Sequence, residues 1–191
     1  MDHALYLIAS GADDATILEK LRALFESGAA PAALLVPQGG RDGSAYARLV
    51  LAIIALAQPR GCAVLLDNLV DRVAELRADG VHITGGIKAL REAVDALKPD
   101  FIVGTGDIGS RHEAMLRGEL DVDYLMFGDR DADDAEGAEM AAWWAQTFEI
   151  PAVYVARGAD DPAVPTVHTE FVAWLTEDWP ALAGPSARGA A

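Results

Sequence analysis

The sequence predicts an α/β fold in which eight short strands alternate with amphipathic helices. Three observations carry that expectation. Apolar runs recur at 4–9, 32–36, 63–66, 80–83, 100–103, 122–127, 152–155 and 169–174. Several are continuously apolar, the pattern of parallel strands covered on both faces. The stretches between them carry apolar residues at helical spacing.

The first run, ALYLIA, is strand-like from the outset. A helix follows over 14–26, with Ile17, Leu18, Leu21, Leu24 and Phe25 on one stripe. After AALLV comes the longest unbroken apolar stretch, 49–57, far short of the roughly 20 residues of a membrane span. AVLL and GVHI are the third and fourth strands, and a second clear stripe (Ile87, Leu90, Val94, Leu97) marks a helix over 87–97. DFIV, VDYLMF and AVYV supply strands five to seven. Met140, Trp143 and Trp144 lie between the last two at spacings that suit helix packing. The final unit is squeezed. Only 156–168 separate strand seven from the run 169–174, and Pro162 and Pro165 oppose a regular helix there. The expected domain is 1–179, with a fraying tail of Ala, Gly and Pro over 180–191.

Eight strands fit either a closed (βα)8 barrel or an open doubly wound sheet. A barrel typically takes about 250 residues and rarely fewer than about 200. With 191 residues, a barrel here must be compact, with helices seven and eight shortened.

Composition narrows the partners. Thirty Asp and Glu against 15 Lys and Arg leave a net charge of −15, which opposes nucleic acid and anionic membranes. Phosphorylated small molecules remain open, because helix N-termini or a metal can hold them. The one cysteine excludes an internal disulfide and a CxxC zinc site. The N-terminus has no basic n-region of a signal peptide, so a cytoplasmic chain is expected. A small-molecule substrate is expected, and a homo-oligomer stays open.

In either fold, function sits in the loops after strand C-termini. Five such loops are candidates. Asp67 and Asn68 follow AVLL, where a carboxylate suits Mg²⁺ and an amide suits a phosphate oxygen. The same residue types are also common helix caps. Thr84-Gly85-Gly86 follows GVHI and could leave backbone N–H groups for an anion, or simply form a capped turn. His82 lies inside that strand, where a histidine is either a packed core residue or a proton carrier. Gly104 to Gly109, GTGDIG, matches G-x-G-x-x-G through Gly104, Gly106 and Gly109, and Asp129 lies 20 residues past Gly109, as in a dinucleotide fingerprint. Against it, Asp107 would face the pyrophosphate. DRDADDAE begins like an EF-hand with Asp129, Asp131 and Asp133, but has Asp134 and Met140 where Gly and Glu are required. The loop after VYV offers Gly158 for close approach, flanked by Asp160 and Asp161, which oppose an anion.

The order of these pieces resembles the thiamine phosphate synthase family. AVLLDN followed by ADGVHI looks like that family's strand three with its Asn-Asp pair and its strand four. FIVGTG, VDYLMFGD, IPAVYVARG and TEFVAW resemble its strands five to eight. The resemblance implies a (βα)8 barrel that joins a hydroxymethylpyrimidine pyrophosphate to a thiazole phosphate with Mg²⁺. Taken with the loop readings above, it makes Asp67, Asn68 and His82 the expected catalytic residues. Thr84, Gly85, Gly104, Thr105, Gly106, Gly128 and Gly158 would hold substrate phosphates, with Asp67 and Asp129 as metal ligands.

The loops depart from the family's pattern. Its Asn-Asp becomes Asp67-Asn68, and its Gly-Gln-Glu-Asp becomes Thr84-Gly85-Gly86-Ile87. Its Arg-Glu-Lys falls near Val36-Pro37-Gln38, with Arg41 the nearest base. Its phosphate-binding Ser becomes Gly106, its Thr-x-Thr-Lys becomes Asp133-Asp134-Ala135-Glu136, and its paired glycines become Arg157-Gly158. A unit charge ~6 Å from a phosphate is worth roughly 3 kcal/mol at an effective dielectric of ~20, so Lys to Glu swings about 6 kcal/mol before screening. Two alternatives on the same barrel therefore stand beside the transferase. One is a tautomerase-like enzyme in which His82 moves protons near neutral pH; the other is a non-catalytic binding or regulatory paralogue. A dinucleotide-binding protein is a further alternative.

Overall fold

The computed structural model describes residues 3–129 and 136–183. Eight parallel strands close into one barrel in sequence order. They are β1 (Ala4–Ile8), β2 (Ala33–Val36), β3 (Ala63–Asp67), β4 (Gly80–Ile83), β5 (Ile102–Thr105), β6 (Tyr124–Phe127), β7 (Ala152–Val155) and β8 (Phe171–Leu175). The helices are α1 (Asp14–Glu26), α2 (Gly43–Ala57), α3 (Val73–Leu76), α4 (Ile87–Leu97), α5 (Arg111–Gly118), α6 (Glu136–Thr147) and α7 (Trp179–Leu182). Closure is explicit in the register, with Ala4 of β1 opposite Phe171 of β8. The open-sheet alternative is thereby excluded.

Alternation along each strand divides the apolar residues into two cores. Leu7, Leu34, Val64, Val81, Val103, Leu125, Tyr154 and Val172 point outward and pack under the helices. Tyr6, Leu35, Leu65, Tyr124, Met126, Val153, Val155 and Ala173 fill the barrel. Helix starts are fixed by local chemistry. Asp13 caps α1 through Thr16 N–H, Asp42 caps α2 through Ser44 and Ala45 N–H, and Ser110 caps α5 through Glu113 N–H.

β5, β6 and β8 each start two residues later than expected. The chain leaves α4 through a turn in which Phe101 N–H still bonds Leu97 C=O, so β5 begins at Ile102, whose N–H bonds Asp79 C=O. It then continues through Gly104 and Thr105, because both pair with β6. In the same way, pairing of β8 begins at Phe171, after a left-handed His168 at φ 53°.

The trimming falls where the prolines place it. Between β7 and β8 the chain forms turns and no α-helix. Asp161 holds those turns. Its carboxylate accepts from Tyr154 Oη (2.8 Å), Arg157 N–H (2.8 Å) and Ala163 N–H (2.9 Å). Asp161 is therefore directed into its own loop instead of opposing a ligand. The last helix, α7, is a single turn that packs on α1, with Trp179 Nε1–H bonded to Trp174 C=O. It straddles the expected boundary at 179, and 184–191 lie outside the described residues. No helix among the described residues is long and apolar enough to cross a membrane.

Candidate active site at the barrel mouth

The C-terminal ends of the strands surround a cavity of about 490 Å³. Ile8, Leu35, Met126, Val155 and Leu175 form its apolar wall. Four carboxylates line it: Asp67, Asp107, Asp129 and Glu136. Among the described residues that line it, there is no Lys or Arg.

Asp67 ends β3 two residues beyond the inward-facing Leu65, so strand parity aims it at the mouth. Burial raises its pKa, opposed by hydrogen bonds from Gln38 N–H and the Asn68 amide. A partly desolvated carboxylate of this kind gains from a cation. Asn68 itself works as a bracket. Its Nδ2–H₂ reaches Asp67 Oδ1 (2.7 Å) and Thr84 Oγ1 (2.8 Å), and its Oδ1 accepts from Thr84 N–H (3.0 Å) and Gly85 N–H (3.4 Å). The backbone donors expected to receive an anion at Thr84 and Gly85 are thus engaged by Asn68, although Thr84 still lines the cavity.

His82 forms part of the cavity floor. Its Nδ1 bonds Tyr124 Oη at 2.9 Å, and Tyr124 Oη bonds Tyr6 Oη at 2.7 Å. Burial, with a smaller contribution from the Arg117 charge, pushes the His82 pKa down to about 4. Burial therefore favours the neutral ring at this position.

The GTG segment has a different role from the expected one. Gly104 faces the barrel interior opposite Tyr124, and a Cβ there would run into that tyrosine's ring. A Cβ on Gly106 would lie 2.7 Å from His82 Nε2. Thr105 points outward. Its hydroxyl donates to Ile83 C=O (2.8 Å) and accepts from Arg117 Nη1 (2.6 Å), which also donates to Gly106 C=O (3.1 Å). Gly109 N–H, at the start of α5, is held by Glu113 Oε2 at 3.0 Å. None of Gly104, Thr105 and Gly106 lines the mouth, and the closed barrel is not the open sheet that a dinucleotide fingerprint requires. Gly104→Ala is expected to destabilise the fold by about 1–3 kcal/mol through overpacking against Tyr124. Urea unfolding measures this, and an unchanged midpoint would contradict the crowding.

Gly128 and Asp129 follow β6 and line the mouth. Gly128 adopts φ 91°, a region that disfavours side chains, and Gly137 of α6 packs onto its Cα. Gly158 is outside the cavity lining, on the loop that follows Val155. Asp131, Asp133 and Asp134 lie outside the described residues. Among the described residues, no group of three His, Cys, Asp or Glu forms a metal cage. Sequence reasoning did not single out Tyr6, Tyr124 or Arg117. The available signal for the tyrosines was their position in strand runs at inward parity; Arg117 looked like one more charge on a solvated helix.

The family model for thiamine monophosphate synthase matches residues 5–170, which spans the barrel from β1 to the residue before β8. The chain belongs to this family. It is 30% identical over 195 residues to the thiamine-phosphate synthase of Rhodospirillum centenum, covering 97% of this chain and 94% of that relative. It is 31% identical over 150 residues to that of Erythrobacter litoralis, covering 73% and 70%. The fold is similar to the thiamine phosphate pyrophosphorylase from Pyrococcus furiosus, with a TM-score of 0.75 and 20% identity over 94% of this chain and 95% of that one. Membership of the thiamine monophosphate synthase family supports a function in thiamine biosynthesis.

Proposed function

We propose that this chain joins hydroxymethylpyrimidine pyrophosphate to thiazole phosphate in the mouth of its barrel. The observation that carries the reading is a cavity of about 490 Å³ with apolar walls, a neutral floor and a carboxylate rim. The bond from the pyrimidine methylene to pyrophosphate breaks, and the methylene carbon becomes positive before the thiazole nitrogen attacks it. The apolar wall excludes water from that cation, and the carboxylates favour its charge. The Gly158 loop, which follows Val155 at the wall, is the proposed seat of the thiazole phosphate.

The rim supports a role for Mg²⁺. An anionic substrate meets four carboxylates there and no lining cation among the described residues. Mg²⁺ is commonly held by one or two carboxylates together with substrate phosphate oxygens, and the rim offers such carboxylates. Asp67 and Asp129 are the proposed holders. When bound, Mg²⁺ would neutralise the departing pyrophosphate.

The purified chain, incubated with both substrates and Mg²⁺, is expected to release the condensed product. Asp67→Asn is expected to lower turnover at least about tenfold, the effect of losing roughly 1.4 kcal/mol of metal attraction. Intact substrates after prolonged incubation would overturn the reading.

A further inference from the structure

Three groups that meet inside the barrel come from distant strands. Tyr6 lies on β1, His82 on β4 and Tyr124 on β6, and each is almost fully buried. Tyr124 Oη stands between the other two, 2.7 Å from Tyr6 Oη and 2.9 Å from His82 Nδ1. The His82 and Tyr124 rings lie nearly parallel, with centroids 5.7 Å apart.

Counting protons fixes the direction of this chain. Each tyrosine hydroxyl brings one proton, and the neutral imidazole brings one. If Nδ1 carried the imidazole proton, His82 would donate to Tyr124 and Tyr124 to Tyr6. The Tyr6 proton would then have no acceptor, because Tyr6 Oη has no second hydrogen-bond partner among the described residues. The opposite direction places every proton: Tyr6 donates to Tyr124, and Tyr124 donates to Nδ1. It leaves idle only a lone pair on Tyr6, which costs less than a stranded buried donor. The imidazole proton then sits on Nε2.

Nε2 makes no hydrogen bond among the described residues, and His82 lines the mouth cavity. The missing side chain at Gly106 keeps that edge of the ring clear. We propose that His82 is a ligand-reading donor: Tyr6 and Tyr124 lock it as the Nε2–H tautomer, which offers one uncharged N–H to the ring nitrogen of a flat heteroaromatic ligand. Its identification with the aminopyrimidine half of the substrate rests on the reading above. Tyr6 and Tyr124 are positioning residues that act through His82. An uncharged donor suits this site, since an imidazolium would oppose the positive charge growing on the pyrimidine.

The test is a long-range ¹H–¹⁵N correlation spectrum of the ¹⁵N-labelled full chain, with His82 assigned by its loss in His82→Leu. The expected result is a protonated Nε2 and an unprotonated Nδ1, with the Nε2 proton shifting when hydroxymethylpyrimidine is added. Tyr124→Phe should redistribute the tautomers. His82→Leu should bind hydroxymethylpyrimidine about three- to tenfold more weakly, with partial rescue by His82→Gln. A proton on Nδ1 in the wild-type chain, or equal binding by His82→Leu, would overturn the proposal. Condensation is scored separately. Product formed by a chain whose Nδ1 is protonated removes this inference and keeps the reaction; the expected tautomer and binding without product does the reverse.

Discussion

Glu113→Ala is expected to destabilise the protein by about 3 kcal/mol, through the charge it strands. Arg117 is 2% exposed and reaches Glu113 Oε1 through Nε (3.0 Å) and Nη2 (2.6 Å). Its remaining amino group ties α5 to the end of β5 through Thr105 and Gly106. Removing the carboxylate leaves a buried guanidinium with neutral partners. Breaking a buried pair costs about 3–5 kcal/mol, and the low end applies because Glu113 is itself 38% exposed and water can follow it inward. The loss is larger than an exposed i,i+4 pair would show, which is about 0.3–0.5 kcal/mol. Adding Arg117→Met to Glu113→Ala should recover part of the stability by removing the stranded charge. Urea unfolding of the wild-type chain and both variants decides this, and a single-variant loss below about 0.5 kcal/mol would place Arg117 among ordinary surface charges.

The second large effect is acid destabilisation between about pH 6.5 and 4. His82 falls from the ordinary 6.5 to about 4 because burial disfavours its charged form. Between those values the unfolded chain binds a proton that the folded chain refuses, so stability falls as pH falls. The full difference is about 3 kcal/mol, reached near pH 4. Other groups act elsewhere or with the opposite sign. Asp13, Asp42, Glu75, Glu113 and Asp161 have lowered pKa values, so their contributions are lost mainly below the ordinary carboxylate range. Asp67 has a raised pKa and is favoured by acid. Unfolding free energies measured across this window should slope in the wild-type chain and flatten in His82→Gln. Equal slopes would show that His82 is not the group responsible.

Both predictions depend on residues whose importance was unevenly legible. The helices over 14–26 and 87–97 and the strands over 80–83 and 152–155 stand in the structure as the apolar pattern places them. Parity also carried Asp67 and His82 to the mouth, since both continue an inward-facing alternation. The GTG segment was not legible in the same way. Glycine spaced by one residue looks alike in a phosphate turn and in a strand that makes room for a neighbour's ring. Which of these it is depends on Gly104 pairing with Tyr124, a register between two strands. Arg117 was obscured for a related reason. Its helix has an exposed face, and only the end of β5 beneath it turns one arginine into a buried anchor.

The acidity divides along the same line. Composition determined that the chain carries −15, and hydrophobic periodicity determined eight strands with their loops at one end. The tertiary structure decided where the charge acts. It turned Asp161 into its own loop and set Asp67, Asp107, Asp129 and Glu136 around the mouth. It also closed β8 onto β1 and joined Tyr6 to Tyr124 across 118 positions. The physical reason is range. Periodicity and capping act within a few residues and are written in local sequence, whereas closure, burial of charge and the direction of a proton chain depend on groups that only the folded barrel brings together.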